Sequence, residues 1–196
     1  MIRHGQTPWT ISGRHTGSTD LALTEFGEAQ ARQFKDALSG IELSAVLVSP
    51  LQRARRTCEL AGLLATARVE PSLAEWHYGD YEGLTRAQIQ LHQPGWEVFR
   101  DGCPGGESAA ELTARVDALI TLVRAIPGRT VLFSHGHLLR SLAARWIGQS
   151  IVAGRSLLLD PAGTGILSNG NPDAEGGTLA LWNGNARGLQ ARLNGR

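Results

Sequence analysis

Two short motifs that combine histidine with glycine stand far apart in the chain, Arg3-His4-Gly5 at its start and Ser134-His135-Gly136 downstream. An imidazole can act as a nucleophile or as a hydrogen-bond donor, and a guanidinium binds oxyanions through a planar fork of donors. A histidine beside an arginine, next to a glycine that lets a ligand approach the backbone, therefore indicates phosphate chemistry. One such motif is weak evidence, and two of them support the hypothesis that the protein acts on phosphate groups.

A third motif, Ser49-Pro50-Leu51-Gln52-Arg53, adds another arginine, and all three motifs follow apolar runs that predict strands. These runs are Met1-Ile2, AVLVS at Ala45–Ser49 and TVLFS at Thr130–Ser134. Short, continuous apolar runs are typical of strands buried on both faces of a parallel sheet. Ligands in open α/β sheets bind at the carboxyl ends of strands, and helix N-termini there favour anions. The pattern thus predicts that two arginines and two histidines converge on one tetrahedral anion.

Strand-like runs alternate with helical ones along the chain, which predicts an α/β fold with a largely parallel central sheet flanked by helices. Helices are indicated at Thr24–Leu38, from the cap Ser49 to about Ala65, after the capping boxes Thr85/Gln88 and Ser108/Glu111, and at His137–Ile147. The apolar side of the first of these helices is assigned to Phe26, Phe34 and Leu38. Beyond them the sequence predicts strands at Ser156–Asp160 and Thr178–Trp182, turns over Gly163–Gly177 and a frayed last dozen residues.

The first strand is unusually short, because only Met1 and Ile2 precede Arg3. A strand in the middle of a sheet normally has about five or six residues. Either the true start lies upstream or the first strand is truncated.

Length and composition exclude several classes of function. The 196 residues predict a single domain over 1–196. A net charge of +1 argues against nucleic acids and membrane surfaces as partners. Lys35 is the only lysine, which argues against P-loop and Schiff-base enzymes because both need a lysine in a specific context. A signal peptide and a membrane-length apolar run are not found, so a cytoplasmic location is expected.

No metal is expected either. Cys58 and Cys103 have neither metal-ligand spacing nor the number that a disulfide framework needs. His135 and His137 flank one glycine, and no carboxylate or third histidine stands at ligand spacing from them. The remaining histidines are interpreted as surface or hydrogen-bonded residues: His15, His77 and His92.

Four segments, in this order, resemble the histidine phosphatase superfamily: Arg3–Thr7, Ser49–Thr57, Glu75–Gly83 and Ser134–Gly136. That family includes cofactor-dependent phosphoglycerate mutases, sugar bisphosphatases and acid phosphatases. The resemblance implies a three-layer sandwich of the phosphoglycerate mutase type. It also implies chemistry on phosphate esters that needs neither a metal nor a cofactor.

The resemblance further implies a role for each motif residue. His4 would attack phosphorus to form a phosphohistidine, while Arg3, Arg53 and His135 would hold the non-bridging oxygens and stabilise their charge. Glu75 would protonate the leaving oxygen and then activate water. Matching positions also suggest phosphate or substrate contacts from a second set of residues: Gln6, Thr16, Gly17 and Gly136.

The acid role needs a carboxyl that is protonated near neutral pH. The aromatic neighbours Trp76 and Tyr78 would favour that form by excluding water. Glu82 is the main alternative to Glu75, and the motif alignment favours Glu75.

Departures from the mutase pattern favour the phosphatase branch. Trp9 is followed by Thr10, and the second His-Gly pair by His137, where mutases have asparagine. Trp96–Ser108 is similar to the corresponding segment of sedoheptulose bisphosphatases and acid phosphatases. The implied substrate is a small phosphate ester, such as a sugar phosphate or bisphosphate. Arg140 is either a contact for a second phosphate or a solvated helix arginine.

Two other functions stay open beside the hydrolase. One is a phosphoglycerate mutase, which would exchange phosphoryl groups between phosphoglycerates. The other is a non-catalytic phospho-ligand binder, which would follow if the short first strand could not position Arg3 and His4. A binder has no use for the acid, so the presence of Glu75 beside the basic set argues against it. An oligomer is possible.

Overall fold

A computed structural model describes residues 1–170 and 176–195 of the chain. Its strands are β1 (Ile2–Arg3), β2 (Ala45–Val48), β3 (Ala67–Val69), β4 (Thr130–Ser134), β5 (Thr164–Ser168) and β6 (Thr178–Gly184). Its α-helices are α1 (Pro8–Ser12), α2 (Glu25–Ala37), α3 (Gln52–Leu60), α4 (Arg86–His92), α5 (Val98–Asp101), α6 (Ala109–Arg124), α7 (Gly136–Trp146) and α8 (Ala186–Asn194). Short 3₁₀ turns lie at Leu64–Thr66, Pro71–Leu73, Gly79–Tyr81 and Ile151–Ser156.

The strands form one mixed sheet in the order β3-β2-β4-β1-β5-β6. The first four are mutually parallel, whereas β5 runs antiparallel to both β1 and β6. The expected α/β fold with a mostly parallel sheet is therefore confirmed, and so is the two-residue first strand. Because β1, β2 and β4 are parallel neighbours, their carboxyl ends meet at one edge, where the three motifs begin.

Apolar side chains from the sheet pack on both of its faces, which produces the three layers. Within β4, Leu132 belongs to the core that contains the apolar residues of α6 and α7. Its neighbours Val131 and Phe133 belong to the opposite core, with residues of α2, α3 and α8. Successive side chains of a strand point to opposite faces, so a strand between two helix layers must be apolar throughout.

Several helix starts follow the local sequence signals. Thr24 accepts a hydrogen bond from Gly27 N at the start of α2, and both predicted capping boxes form, at Thr85 and Ser108. The assigned apolar side of α2 is partly wrong, because the Phe26 side chain is 61% exposed. Phe34 is buried as expected.

The helix after β2 differs from its prediction at both ends. Leu51, not Ser49, occupies the N-cap position, and the first N–H of the helix, that of Gln52, donates to the distant Asp20 Oδ1 at 2.8 Å. The helix ends at Leu60, where Leu63 N donates to Cys58 O and closes its last turn. The Ser49 hydroxyl instead forms a hydrogen bond with the ring of His135, the residue that follows β4.

The other predictions of secondary structure that are wrong concern the C-terminal part of the chain. Residues 157–160 form no strand, and Leu159 O accepts a bond from the Arg3 side chain. A strand, β5, lies in the stretch predicted as turns, where it pairs with β1 and β6. Residues 171–175 of that stretch lie outside the described residues. The expected frayed end contains α8, whose Leu189 is buried against the sheet. No helix among the described residues is long and apolar enough to cross a membrane.

Candidate active site

The two motif histidines lie together at the carboxyl ends of β1 and β4. Their ring centroids are 5.2 Å apart, and both side chains are buried. The backbone N–H of His4 donates to Ser134 O at 2.9 Å, which continues the parallel pairing of the two strands. Register between β1 and β4 therefore brings two residues 131 positions apart into one site, as the sequence predicted.

The His4 ring is held with one nitrogen free. Its Nδ1 lies 2.8 Å from Gly5 O, and a carbonyl can only accept, so Nδ1 carries the proton. The pKa of His4 is lowered well below its usual value by burial and by the charges of Arg53 and Arg3. The ring is thus neutral near pH 7, with an unprotonated Nε2.

The two motif glycines make room for protein atoms. A Cβ at Gly5 would lie 2.3 Å from Gly27 O, where α2 approaches the first motif. A Cβ at Gly136 would lie 3.2 Å from Cζ of Arg3. The sequence predicted that these glycines let a ligand approach the backbone. In the structure, Gly5 instead allows α2 to pack closely and Gly136 allows the Arg3 guanidinium to do so.

Arg53 connects α3 to the loop that follows α1. Its side chain is fully buried. Nη2 donates to Thr16 O and Gly17 O, and Nη1 donates to Thr19 O, each at 3.0 Å. Nε donates to His135 Nδ1 at 3.1 Å. The guanidinium thus fixes the second histidine and one wall of the site at once.

His135 is held in a defined tautomer. Because Arg53 can only donate, Nδ1 of His135 accepts and Nε2 carries the proton, which it donates to Ser49 Oγ at 2.7 Å. Burial and the charge of Arg53 lower the pKa of His135 well below its usual value. The sequence predicted that Ser49 caps a helix and did not predict its contact with His135, although its position directly after β2 was an available signal.

Arg3 has an unused donor at the site. One of its Nη atoms donates to Leu159 O, while its buried Nε has no hydrogen-bond partner in the described parts of the chain. Burial lowers the pKa of Arg3, and the charge of Glu75 opposes that shift. A buried donor without a partner is costly, so an anion oxygen would satisfy it.

Glu75 lies at the N-terminus of α7, where its carboxylate receives three backbone N–H bonds. Oε1 accepts from Trp76 at 3.0 Å and from Leu138 at 2.8 Å, and Oε2 accepts from His137 at 3.0 Å. The side chain is only 9% exposed. The sequence predicted the aromatic residues Trp76 and Tyr78 next to Glu75. It did not predict that Glu75 would bind the N-terminus of α7.

Glu82 has a different position. Its carboxylate accepts from Gly17 N at 2.9 Å and from Thr19 N at 3.1 Å, so it shapes the loop that Arg53 also holds. Burial lowers the pKa of Arg53; among the carboxylates that oppose this shift, Glu75 has the largest effect and Glu82 the smallest. Glu75 is therefore the carboxylate more closely coupled to the guanidinium.

The second set of predicted residues lies around this centre. Gln6 Oε1 accepts from Thr24 Oγ1 at 2.9 Å, on the α2 side. Thr16 contributes its carbonyl to Arg53, and its hydroxyl donates to Arg14 O at 3.2 Å. The backbone N–H of Gly17 is taken by Glu82, and Gly136 starts α7 beside Arg3.

Arg140 extends from α7 to the 3₁₀ turn Ile151–Ser156. Its Nε donates to Gly154 O at 2.9 Å, and Nη2 donates to Arg155 O at 3.1 Å. The guanidinium lies 4.8 Å from the ring centroid of Phe99. The side chain is thus held in place by protein contacts, and its other nitrogen, Nη1, makes none of these bonds.

A group of aromatic side chains that the sequence did not predict packs next to the Arg140 guanidinium, which it meets at Phe99. Tyr78 OH and His137 Nδ1 are 2.6 Å apart, and the His15 ring stacks on His137 with centroids 5.9 Å apart. Burial raises the pKa of Tyr78 well above its usual value and lowers that of His137, so the hydroxyl donates to a neutral ring. The aromatic residues Trp76 and Tyr78 next to Glu75 were a signal in the sequence, but no spacing rule links His15 to His137.

Residues 1–170 and 176–195 contain no group of three or more His, Cys, Asp or Glu side chains placed to hold a metal ion. The site within these residues therefore consists of arginine, histidine and carboxylate groups on strand ends and a helix end.

Two strand-end histidines, two arginines and an acid are groups suited to chemistry on phosphate esters, and comparison with known families assigns the chain to an enzyme class of that kind. The model of the histidine phosphatase superfamily (branch 1) matches residues 1–185, so the chain belongs to that family. It is a phosphoric monoester hydrolase.

Similar proteins are found among both sequences and structures. An acid phosphatase of Mycobacterium tuberculosis is 41% identical over 85% of this chain and 83% of its own. A sedoheptulose 1,7-bisphosphatase of Saccharomyces cerevisiae is 35% identical over 77% and 68%, respectively. The solved structure of the product of open reading frame Rv3214 from Mycobacterium tuberculosis has a TM-score of 0.86 and 38% identity, over 94% of this chain and 96% of its own.

Proposed function

We propose that this enzyme hydrolyses small phosphate esters through a phosphohistidine formed on His4, without a metal or a cofactor. The observation that carries the proposal is the state of the His4 ring. Nδ1 donates to Gly5 O, which leaves a neutral ring with Nε2 as its free nitrogen, close to the charges of the buried Arg53 and the partly buried Arg3. A nucleophile needs a lone pair, and burial together with the two positive charges preserves it.

In the first half-reaction the lone pair of His4 Nε2 forms a bond to phosphorus. The bond from phosphorus to the ester oxygen breaks, and the protonated Glu75 transfers its proton to that oxygen. The developing charge on the non-bridging oxygens is stabilised by the partnerless Nε of Arg3 and by the guanidinium of Arg53. His135 contributes its Nε2 proton when a phosphate oxygen replaces the Ser49 hydroxyl as acceptor.

In the second half-reaction water attacks the phosphohistidine. The carboxylate of Glu75 takes a proton from that water, the nitrogen–phosphorus bond breaks, and the electron pair returns to His4 Nε2. Inorganic phosphate leaves. The acid is thus restored and ready to protonate the next leaving group, as microscopic reversibility requires.

The proposed substrates are sugar phosphates and bisphosphates. Two relatives support this class, one named as an acid phosphatase and one as a sedoheptulose bisphosphatase. Arg140 would bind a second phosphate through Nη1, because its other contacts hold the guanidinium in place. Burial lowers the pKa of Arg140, and the nearby charge of Arg3 lowers it further, which an added anion would reverse. We also assign the enzyme to the cytoplasm, where the buried thiols of Cys58 and Cys103 would stay reduced.

The direct test is phosphate release from p-nitrophenyl phosphate and from a panel of sugar phosphates, with a chelator present. His4→Ala should lose turnover by about a thousandfold or more, whereas the control His92→Ala, at an exposed position of α4, should keep it. Acid-labile, base-stable phosphate on the wild type after rapid quenching would identify the phosphohistidine.

Other results would exclude the proposal. Turnover that the chelator abolishes would contradict a metal-free reaction. Phosphoryl exchange between phosphoglycerates without net release would identify a mutase. Binding of phosphate esters without turnover of any of them would identify a binding protein.

A further inference from the structure

Glu75 lies on an irregular segment of the chain, whereas Arg3 belongs to β1 and Arg53 to α3. Residues 74–78 form neither a helix nor a strand. Helix bonds and strand pairing therefore do not fix the backbone of the proposed acid. Its carboxylate still reaches the N-terminus of α7 at hydrogen-bond distance, so tertiary contacts must hold this backbone in place.

Arg115, on α6, contacts the backbone of this segment through its guanidinium group. Nη1 donates to Ser72 O at 2.8 Å and to Ala74 O at 2.7 Å. Nη2 donates more weakly to Glu75 O, at 3.4 Å. These carbonyls lie just before the proposed acid and at the acid itself. A planar group with several donors can hold all of them together, which a single ammonium group cannot do.

Glu107 orients the Arg115 guanidinium toward those carbonyls. Its carboxylate accepts from Arg115 Nε at 2.8 Å and from Nη2 at 2.7 Å, which is a bidentate pair. The backbone of Glu107 contacts the same segment, because its carbonyl accepts from Trp76 Nε1 and its N–H donates to His77 O, each at 2.8 Å. The pair thus holds the chain on both sides of Glu75. We call Arg115, Glu107 and their bonds to residues 72–77 the Arg115 clamp.

We propose that the Arg115 clamp positions Glu75 for proton transfer, so that Arg115 is a positioning residue that acts through the acid. This inference rests on the proposed function of Glu75. The clamp fixes the Glu75 backbone from α6, while the N–H groups of His137 and Leu138 fix its carboxylate from α7. Proton transfer needs a donor at a defined distance from the leaving oxygen, and a displacement of about 1 Å can lower a rate by about a hundredfold.

A purely structural role for Arg115 is the alternative, and the same helix offers a matched control. Asp117, two residues further along α6, forms a bidentate pair with Arg145 at 2.8 and 3.0 Å. Arg145 is partly buried, as Arg115 is, and it also donates to a backbone carbonyl, that of Gln149. It lies in the last turn of α7, at the opposite end of that helix from the Glu75 carboxylate.

The first test compares Arg115→Met with Arg145→Met on two substrates. Arg115→Met should lower kcat/KM by about thirtyfold or more on an alkyl phosphate, but by at most about threefold on p-nitrophenyl phosphate, whose leaving group needs little protonation. Arg145→Met should lower Tm and change neither kcat/KM by more than about twofold. If Arg115→Met does not fold, Arg115→Lys, which keeps a cation beside Glu107, should show the same leaving-group dependence. Equal losses on the two substrates would overturn the positioning role.

A second readout does not depend on turnover. α7 begins at Gly136, so the N–H groups of His137 and Leu138 lie in its first turn, where a helix offers them no acceptor of its own. Their protection from exchange therefore depends on the Glu75 carboxylate. Arg115→Met should accelerate amide hydrogen exchange at these two residues by about tenfold or more, and Arg145→Met should not. Unchanged exchange in Arg115→Met would overturn the proposal even if its activity fell.

Combining Arg115→Met with Glu75→Gln distinguishes this proposal from the proposed function. If Arg115 acts through Glu75, adding Arg115→Met to Glu75→Gln should lower kcat/KM by at most about threefold more. A full additional loss would show that Arg115 acts by another route and would overturn the proposal. If Glu75→Gln alone showed no leaving-group dependence, the proposed acid would be wrong. Faster exchange at His137 and Leu138 in Arg115→Met would then still show that the clamp holds that carboxylate.

Discussion

The Nε atom of Arg53 donates to Nδ1 of His135 at 3.1 Å, and this bond fixes which ring nitrogen of the histidine carries its proton. The same guanidinium holds three carbonyls of the loop after α1. One side chain therefore sets a tautomer, a loop conformation and the positive charge of the site. Its function depends on a planar group with several donors and not on charge alone.

Replacing Arg53 by lysine should therefore remove most of the activity although the charge is kept. An ammonium group cannot reach His135 and the loop carbonyls together, so we expect kcat/KM to fall by about a hundredfold or more. Arg55→Lys is the matched control on the same helix, because Arg55 is exposed. The test is to measure kcat/KM of both variants on one phosphate ester. An equal loss of kcat/KM in the two variants would contradict the role of Arg53 as a multiple hydrogen-bond donor.

Glu75→Gln and Glu82→Gln should separate the two candidate acids. Loss of the proton donor at Glu75 should lower kcat by about a hundredfold or more on an alkyl phosphate. The loss should be smaller on p-nitrophenyl phosphate, whose leaving group needs little protonation. Glu82→Gln should instead raise KM and lower Tm, because that carboxylate holds Gly17 and Thr19. A leaving-group dependence that appears only in the Glu82 variant would reverse the assignment.

Stability should fall in mild acid because the fold holds three histidines in their neutral form, two of them buried and one, His137, partly buried. The pKa values of His4, His135 and His137 are all lowered well below the usual value in the folded state. Below about pH 6.5 the unfolded chain binds protons that the folded chain excludes, so the free energy of unfolding decreases as pH falls. Each such histidine contributes up to about 1.4 kcal/mol per pH unit in that window.

Urea unfolding of the wild type and of His137→Asn at pH 7.5 and pH 5.5 measures this effect. The variant should lose less stability between the two pH values than the wild type does. His92→Asn, at an exposed position, is the control and should match the wild type. An unchanged pH dependence in His137→Asn would show that this ring is not excluded from protonation by folding.

Gly136→Ala should disturb the site without unfolding the protein. The new Cβ would lie 3.2 Å from Cζ of Arg3, so the guanidinium must shift by a few tenths of an ångström. We expect kcat/KM to fall by about tenfold to a hundredfold, because small displacements of catalytic groups are costly. Gly188→Ala is the control, since its Cβ would meet only Asn185 Oδ1 at 3.6 Å. Kinetics and Tm together separate misplacement of Arg3 from general destabilisation.

Arg140→Gln should discriminate between substrates with one and two phosphates. If Nη1 binds a second phosphate, KM for a sugar bisphosphate should rise by about tenfold or more, while KM for a monophosphate stays the same. Arg155→Gln, at an exposed position on the neighbouring turn, should change neither value. An equal rise of KM for both substrate types would assign Arg140 a purely structural role.

The sequence by itself determined the elements whose signals are local. Continuous apolar runs identified β2 and β4, and the capping boxes at Thr85 and Ser108 identified two helix starts, because these patterns depend only on nearby residues. The order of the strand-end motifs was enough to predict that His4 and His135 meet. Parallel strands bring their carboxyl ends to one edge, so that prediction followed from topology alone.

Only the tertiary structure decided the rest, because it depends on partners distant in the sequence. β5 exists where β1 and β6 pair with it, although its own residues read as turns. The tautomer of His135 follows from Arg53 and Ser49, which lie more than eighty positions away. Burial and the charges of Arg53 and Arg3 set the protonation of the two site histidines, and neither cause is a property of a short segment.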